Sequence, residues 1–125
     1  MYTHFVKLSL LVPGVIHLLP LYGVCGRRQL AALYGLKFNE PNTLILMKHR
    51  AVLFGLLGGL LTYATFEPKY RDLAFLAGLA SASSFLAFAC LDGGYNDKLR
   101  GVVVADVVAL ASLIGGSAVH FLADV

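Results

Sequence analysis

Four long apolar stretches, separated by short polar ones, organise this chain. They run over residues 5–23, 43–66, 73–91 and 99–121, and each meets or approaches the ~20 apolar residues that a helix needs to cross a bilayer. The links between the last three are short, so consecutive helices should return alongside one another. The pattern predicts an all-α fold, an integral membrane antiparallel four-helix bundle, with residues 1–125 forming a single membrane domain. Between the first two stretches, residues 27–34 place Leu30, Leu33 and Tyr34 on one side behind Arg27 and Arg28. That spacing predicts a short interfacial helix, with Gly35 ending it. Asn39, Glu40, Pro41 and Asn42 supply turn residues and a proline suited to the first turn of the next helix.

The same pattern marks bends and contact faces. Pro13 and Pro20 each remove a backbone donor and crowd the carbonyl four residues earlier, which bends the first stretch. Ala51, Gly55, Gly59 and Thr62 form one stripe of small residues, and Gly101, Ala105, Ala109, Ser112 and Gly116 form another. Such stripes let two helix backbones approach closely. The hydroxyls of Ser81, Ser83 and Ser84 can be satisfied by carbonyls of their own helix.

Composition agrees with the pattern. Hydrophobic residues make up 58% of the chain and charged residues only 14%, a balance far more apolar than that of a soluble domain. The net charge of +3 is spread over helix ends and loops. It forms no nucleic-acid patch, and the lipid bilayer with its anionic headgroups is the natural partner. Arg27, Arg28, Lys37, Lys98 and Arg100 lie at the face where the first stretch ends, against Lys7, Lys69 and Arg71 at the other. The positive-inside rule puts the first face in the cytoplasm. The reverse orientation would expose Cys25 and Cys90 to an oxidising compartment, where they could pair. No small-x-small cleavage site follows the first stretch, so it reads as retained.

The polar residues within the apolar stretches are the candidates for function. Lys48, His49 and Arg50 are consecutive, and residues 51–66 alone are too short to span. In an up-and-down bundle His17, Arg50 and Asp106 share a depth of roughly 10 Å below one surface. An ionisable group at a helix centre costs about 2.5–3.5 kcal/mol on the insertion scale and normally faces a partner or the bundle interior. A buried polar cluster of His17, His49, Arg50 and Asp106 is therefore expected, with an Arg50–Asp106 pair at its centre and a histidine completing the hydrogen bonds. At about 100° per residue the basic trio covers about 200°, so its members cannot all face one site. His17 is either proton-active or bonded to a carbonyl freed by proline. Cys25, Cys90, Asp92, Tyr95 and Asn96 should gather at the surface above, while His4 and His120 stand apart. The two thiols have no CxxC spacing, no catalytic or metal motif occurs, and the cofactor question stays open.

One resemblance is carried by Leu33-Tyr34-Gly35, Glu40-Pro41-Asn42, the run from Leu46 to Gly55, Gly93-Gly94-Tyr95-Asn96 and Val104-Ala105-Asp106. In these the chain resembles a group of uncharacterised bacterial four-helix membrane proteins and is distantly similar to the DoxX-like families. The resemblance implies a multi-pass protein of the bacterial inner membrane and names no reaction. A nucleotidyl-transfer activity would need an HxGH-type motif, and none occurs. The leading expectation is a non-enzymatic accessory or oligomer-forming subunit, associating with its own copies or with a larger membrane complex. A redox or quinone-linked component, suggested by the DoxX-like resemblance, is the alternative from another class. An oligomeric channel or proton-coupled carrier is the third.

Overall fold

The computed structural model describes residues 2–123. Its elements are α1 (Tyr2–Leu18), a 3-10 segment (Leu19–Cys25), α2 (Arg27–Tyr34), α3 (Pro41–Phe66), a short 3-10 turn (Pro68–Tyr70), α4 (Arg71–Asp92) and α5 (Asp97–Ala123). The described residues form no strand, so the fold is all-α. Four segments, Thr3–Cys25, Pro41–Phe66, Pro68–Asp92 and Asp97–Leu122, are long and apolar enough to cross a membrane.

The first apolar stretch is not one regular helix. It continues through Pro13 and changes at Leu19 to 3-10 geometry. Pro20 stands within the first two positions of that segment, where its missing N–H breaks the α-helical bonding while its fixed φ suits the tighter turn. Helix α2 ends on Gly35, whose φ of 70° lies in the left-handed region and whose N–H donates to Ala31 O at 2.7 Å. Glycine adopts that conformation without the steric penalty of a Cβ. Helix α3 opens on Pro41 behind Glu40, whose carboxylate accepts from Asn42 N at 3.1 Å and Thr43 N at 2.9 Å. These two N–H groups would otherwise lack partners in the first turn.

Packing runs through two apolar clusters. The larger one joins Val6 and Leu10 of α1, Leu61 and Ala64 of α3, Ala74 and Phe75 of α4, and Leu113 of α5. The smaller gathers Leu30, Tyr34 and Phe38 with Leu44, Met47, Leu99 and Val102, folding α2 against α3 and α5. Helix α1 packs mainly on α3 and α5, and α4 lies on α5 and α3.

The contact stripe on α3 differs by one residue from the expected one. A Cβ at Gly58 would stand 2.9 Å from Gly14 O and 2.9 Å from Leu18 N, both backbone atoms of α1, whereas one at Gly59 would meet nothing within 4 Å. Gly58, with Ala51, Gly55 and Thr62, is therefore the point of closest approach. In α5, Gly101 is likewise open and Gly116 is buried against Ser9 and Phe75.

Arg71 also departs from its expected place as a loop cation. It is 8% exposed, and its guanidinium donates to Ala64 O at 3.0 Å and Thr65 O at 2.8 Å. It closes the C-terminal turn of α3, where carbonyls lack helical partners and a cation is favoured. Nearby, the last turn of α5 meets the first turn of α4 through His120 Nε2 and Asp72 Oδ1 at 2.6 Å.

The outer surface is apolar. Leu46, Leu56, Leu76, Phe88 and Leu91 point outward and are each more than half exposed, a character suited to lipid contact and unlike that of a soluble monomer.

Candidate functional site

Between the two clusters the helices frame a partly open cavity of about 260 Å³, with charged groups set among mostly apolar walls. His17 enters from α1, Tyr34 from α2, Arg50 and Phe54 from α3, and Lys98 and Asp106 from α5.

His17 is held by its own helix and by α4. Its Nδ1–H donates to Pro13 O at 2.8 Å, and Ser81 Oγ stands 3.5 Å from Nε2. The bonded carbonyl is that of Pro13 itself, one turn back along α1, and not one deprived of its donor by a proline. With Nδ1 donating to a carbonyl, Nε2 offers a lone pair in the neutral imidazole. The ring is buried and tilted against Phe54, with centroids 5.6 Å apart.

Arg50 has a different set of partners from the expected one. Its Nη1 donates to Tyr34 Oη at 2.5 Å, and its guanidinium carbon stands 4.4 Å from the Phe54 centroid and 5.2 Å from that of Tyr34. The planar cation is thus placed over aromatic faces, an attraction that strengthens when the group is withdrawn from water. Among the described residues no ion pair joins it to Asp106. The expected direct pair is not formed, because the hydroxyl of α2 and the ring one turn along α3 hold the guanidinium.

Asp106 is 6% exposed and lines the same cavity. Among the described residues no group hydrogen-bonds to its carboxyl or lies within ion-pair distance. Arg50 and His17 line the same cavity without touching that carboxyl. A buried polar group lacking a partner is uncommon and calls for an explanation.

Not every expected member belongs to this site. His49 is exposed and does not line the cavity, since one residue along the helix turns it away from the direction of Arg50. The five residues expected at the surface above do not form one cluster. Asn96 donates through Nδ2 to Tyr34 O at 2.9 Å and accepts from Leu99 N at 2.8 Å, tying α2 to the start of α5. Asp92 and Tyr95 line a separate, shallower hollow with Phe85 and Phe88. Cys25 and Cys90 are exposed free thiols that line neither space. Cys25 ends the 3-10 segment, Cys90 lies in the last turn of α4, and both are exposed. No three His, Cys, Asp or Glu side chains converge among the described residues.

Tyr34, Phe54, Ser81 and Lys98 also belong to the site, and no motif in the sequence marks them for it. The apolar face of residues 27–34 was visible, but nothing in the sequence said that the Tyr34 hydroxyl would turn inward to a cation sixteen residues later. The serines behave in two ways: Ser83 and Ser84 donate to carbonyls of α4, while Ser81 reaches His17.

No protein-family model, curated protein or solved structure matches this chain, so its own residues carry the functional argument.

Proposed function

We propose that this chain is a multi-pass inner-membrane protein, arranged as an up-and-down bundle, that acts as a binding or accessory subunit and performs no covalent chemistry of its own. The cavity around His17, Arg50 and Asp106 is its working part. The apolar exterior and the four span-length helices support the membrane placement. The observation that carries the functional reading is Asp106, a buried carboxyl facing a cavity with no protein donor of its own. An ionisable residue within a span costs about 2.5–3.5 kcal/mol on the insertion scale. A purely structural cluster would offset that cost by direct pairing of Arg50 with Asp106. Here the two charges share a space without contact, as expected for groups that a guest satisfies.

Native mass spectrometry of the protein extracted in mild detergent tests the reading. The wild type should retain a small molecule that Asp106→Asn and Arg50→Gln release. A wild-type mass equal to that of the chain alone would overturn it, as would adducts that both variants keep. The same sample's absorbance spectrum separates a redox role from binding alone, and its copy number tests for an oligomeric pore.

A further inference from the structure

The charges in the cavity identify the class of guest. We infer that it is a small zwitterion whose anionic group is taken by Arg50 and whose ammonium group is taken by Asp106. This deepens the proposed binding role and rests on it.

Arg50 and Asp106 line one cavity, form no ion pair with each other, and bear opposite charges when ionised. The Arg50 guanidinium carries five N–H donors, and among the described residues one hydrogen bond from it, to Tyr34, is formed. It retains donors for a carboxylate or phosphate, the oxyanions it matches best. The Asp106 carboxylate only accepts and has nothing to accept from. An anion alone would satisfy Arg50 and set a second negative charge beside Asp106. A cation alone would satisfy Asp106 and face Arg50. A neutral guest would leave the buried Asp106 carboxylate without a partner and the remaining donors of Arg50 unused, a costly arrangement for a charge withdrawn from water. A guest with both charges satisfies each group and adds no net charge.

The remaining titratable groups agree with this polarity. Lys98 lines the cavity from the first turn of α5 and adds positive charge for the anionic end. His17, donating from Nδ1, presents a lone pair at Nε2, and Tyr34 is engaged with Arg50. The volume of about 260 Å³ lies just below the ~300–1,000 Å³ typical of pockets for drug-sized ligands. Apolar walls from Ile16, Leu33, Phe54 and Val102 suit a compact aliphatic remainder. An aliphatic amino acid has this chemistry, and so does the phosphoethanolamine head of a lipid.

The test uses the full chain in phosphatidylglycerol nanodiscs, which supply no zwitterionic headgroup. Binding of leucine is compared by calorimetry with 4-methylpentanoate, which lacks the ammonium, and 3-methylbutylamine, which lacks the carboxylate. In a second arm, short-chain phosphatidylethanolamine is compared with the matching phosphatidic acid. In at least one arm the zwitterion should bind about tenfold or more tightly than every comparison compound that lacks one of its charged groups, and the arm that responds identifies the source. Asp106→Asn should reduce the preference over the anion, and Arg50→Gln the preference over the amine. The wild-type comparison stands by itself if a variant fails to fold. Equal or tighter binding of the anions would overturn the inference while leaving a ligand-binding cavity, since Asp106 would then be behaving as a neutral acid. Absence of binding in both arms would also overturn it. The retained molecule in native mass spectrometry, of whatever chemistry, decides the broader role separately.

Discussion

Adjacent glycines on α3 do unequal work. At Gly58 an added methyl group would meet the backbone of α1, which cannot move aside as a flexible side chain can. Overpacking of this kind typically costs about 1–3 kcal/mol. At Gly59 the space is open, and replacing a mid-helix glycine with alanine normally gains about 0.5–1 kcal/mol. Gly58→Ala should therefore lower the unfolding temperature in detergent, while Gly59→Ala leaves it unchanged or raises it. Equal effects would mean that α1 and α3 do not meet at Gly58. Glu40 makes a second prediction at this scale. Its carboxylate accepts from the backbone N–H groups of Thr43 and Asn42, and these bonds hold its pKa below the ordinary 4.5. A depressed folded-state value means that its contribution is complete above the unfolded pKa and is lost as pH falls through the folded one. Lowering the pH from about 5 towards 3 should destabilise the wild type more than Glu40→Gln. Parallel acid limbs in thermal unfolding would exclude this cap as the source.

Helix α2 packs its apolar face into the protein, and Tyr34 is tied at both its hydroxyl and its carbonyl. Tyr34→Phe removes the acceptor for Arg50 and keeps the ring. A hydrogen bond to a charged group contributes about 1.5–3 kcal/mol, so amide exchange over residues 27–34 should quicken roughly tenfold or more while that of mid-α5 holds. Unchanged exchange would mean that Leu30 and Phe38 alone anchor the helix. Run length and turn chemistry made the helices legible: Gly35, Glu40 and Pro41 stand at their ends as elementary propensities require. Depth along a helix was also countable, and His17, Arg50 and Asp106 line one cavity. Azimuth and partner choice were not legible. One residue of phase separates Gly58 from Gly59 and Arg50 from His49, and hydropathy cannot resolve it until the neighbouring helix is placed. The Arg50–Tyr34 bond and the capping of α3 by Arg71 depend on tertiary approach, for which the sequence carries no local signal.

At the scale of the whole molecule, the two clusters leave between them a mostly apolar cavity that carries Arg50 and Asp106, and the exposed positive charge is concentrated at one end. Arg27, Arg28, Lys37, Lys98 and Arg100 are all exposed around the end that carries α2. At the opposite end Arg71 is folded inward onto α3, leaving Lys69 exposed and Lys7 half-buried. Insertion acts on the chain before it folds, so Arg71 still counts there, and the bias towards the α2 end is modest by that measure. The folded surface adds a second effect, because exposed cations near an anionic cytoplasmic leaflet contribute about 1 kcal/mol each. Both effects favour the α2 end facing the cytoplasm. Single cysteines introduced at Lys37 and Lys69, with Cys25 and Cys90 replaced by serine, report the two ends separately. In intact cells a membrane-impermeant maleimide should label Lys69→Cys and spare Lys37→Cys until the membrane is opened. The reverse pattern would invert the protein and place the native thiols in an oxidising compartment. Labelling of both sites in intact cells would contradict the alternating arrangement of the helices, because an odd number of crossings must separate the 35–40 loop from the 67–70 turn.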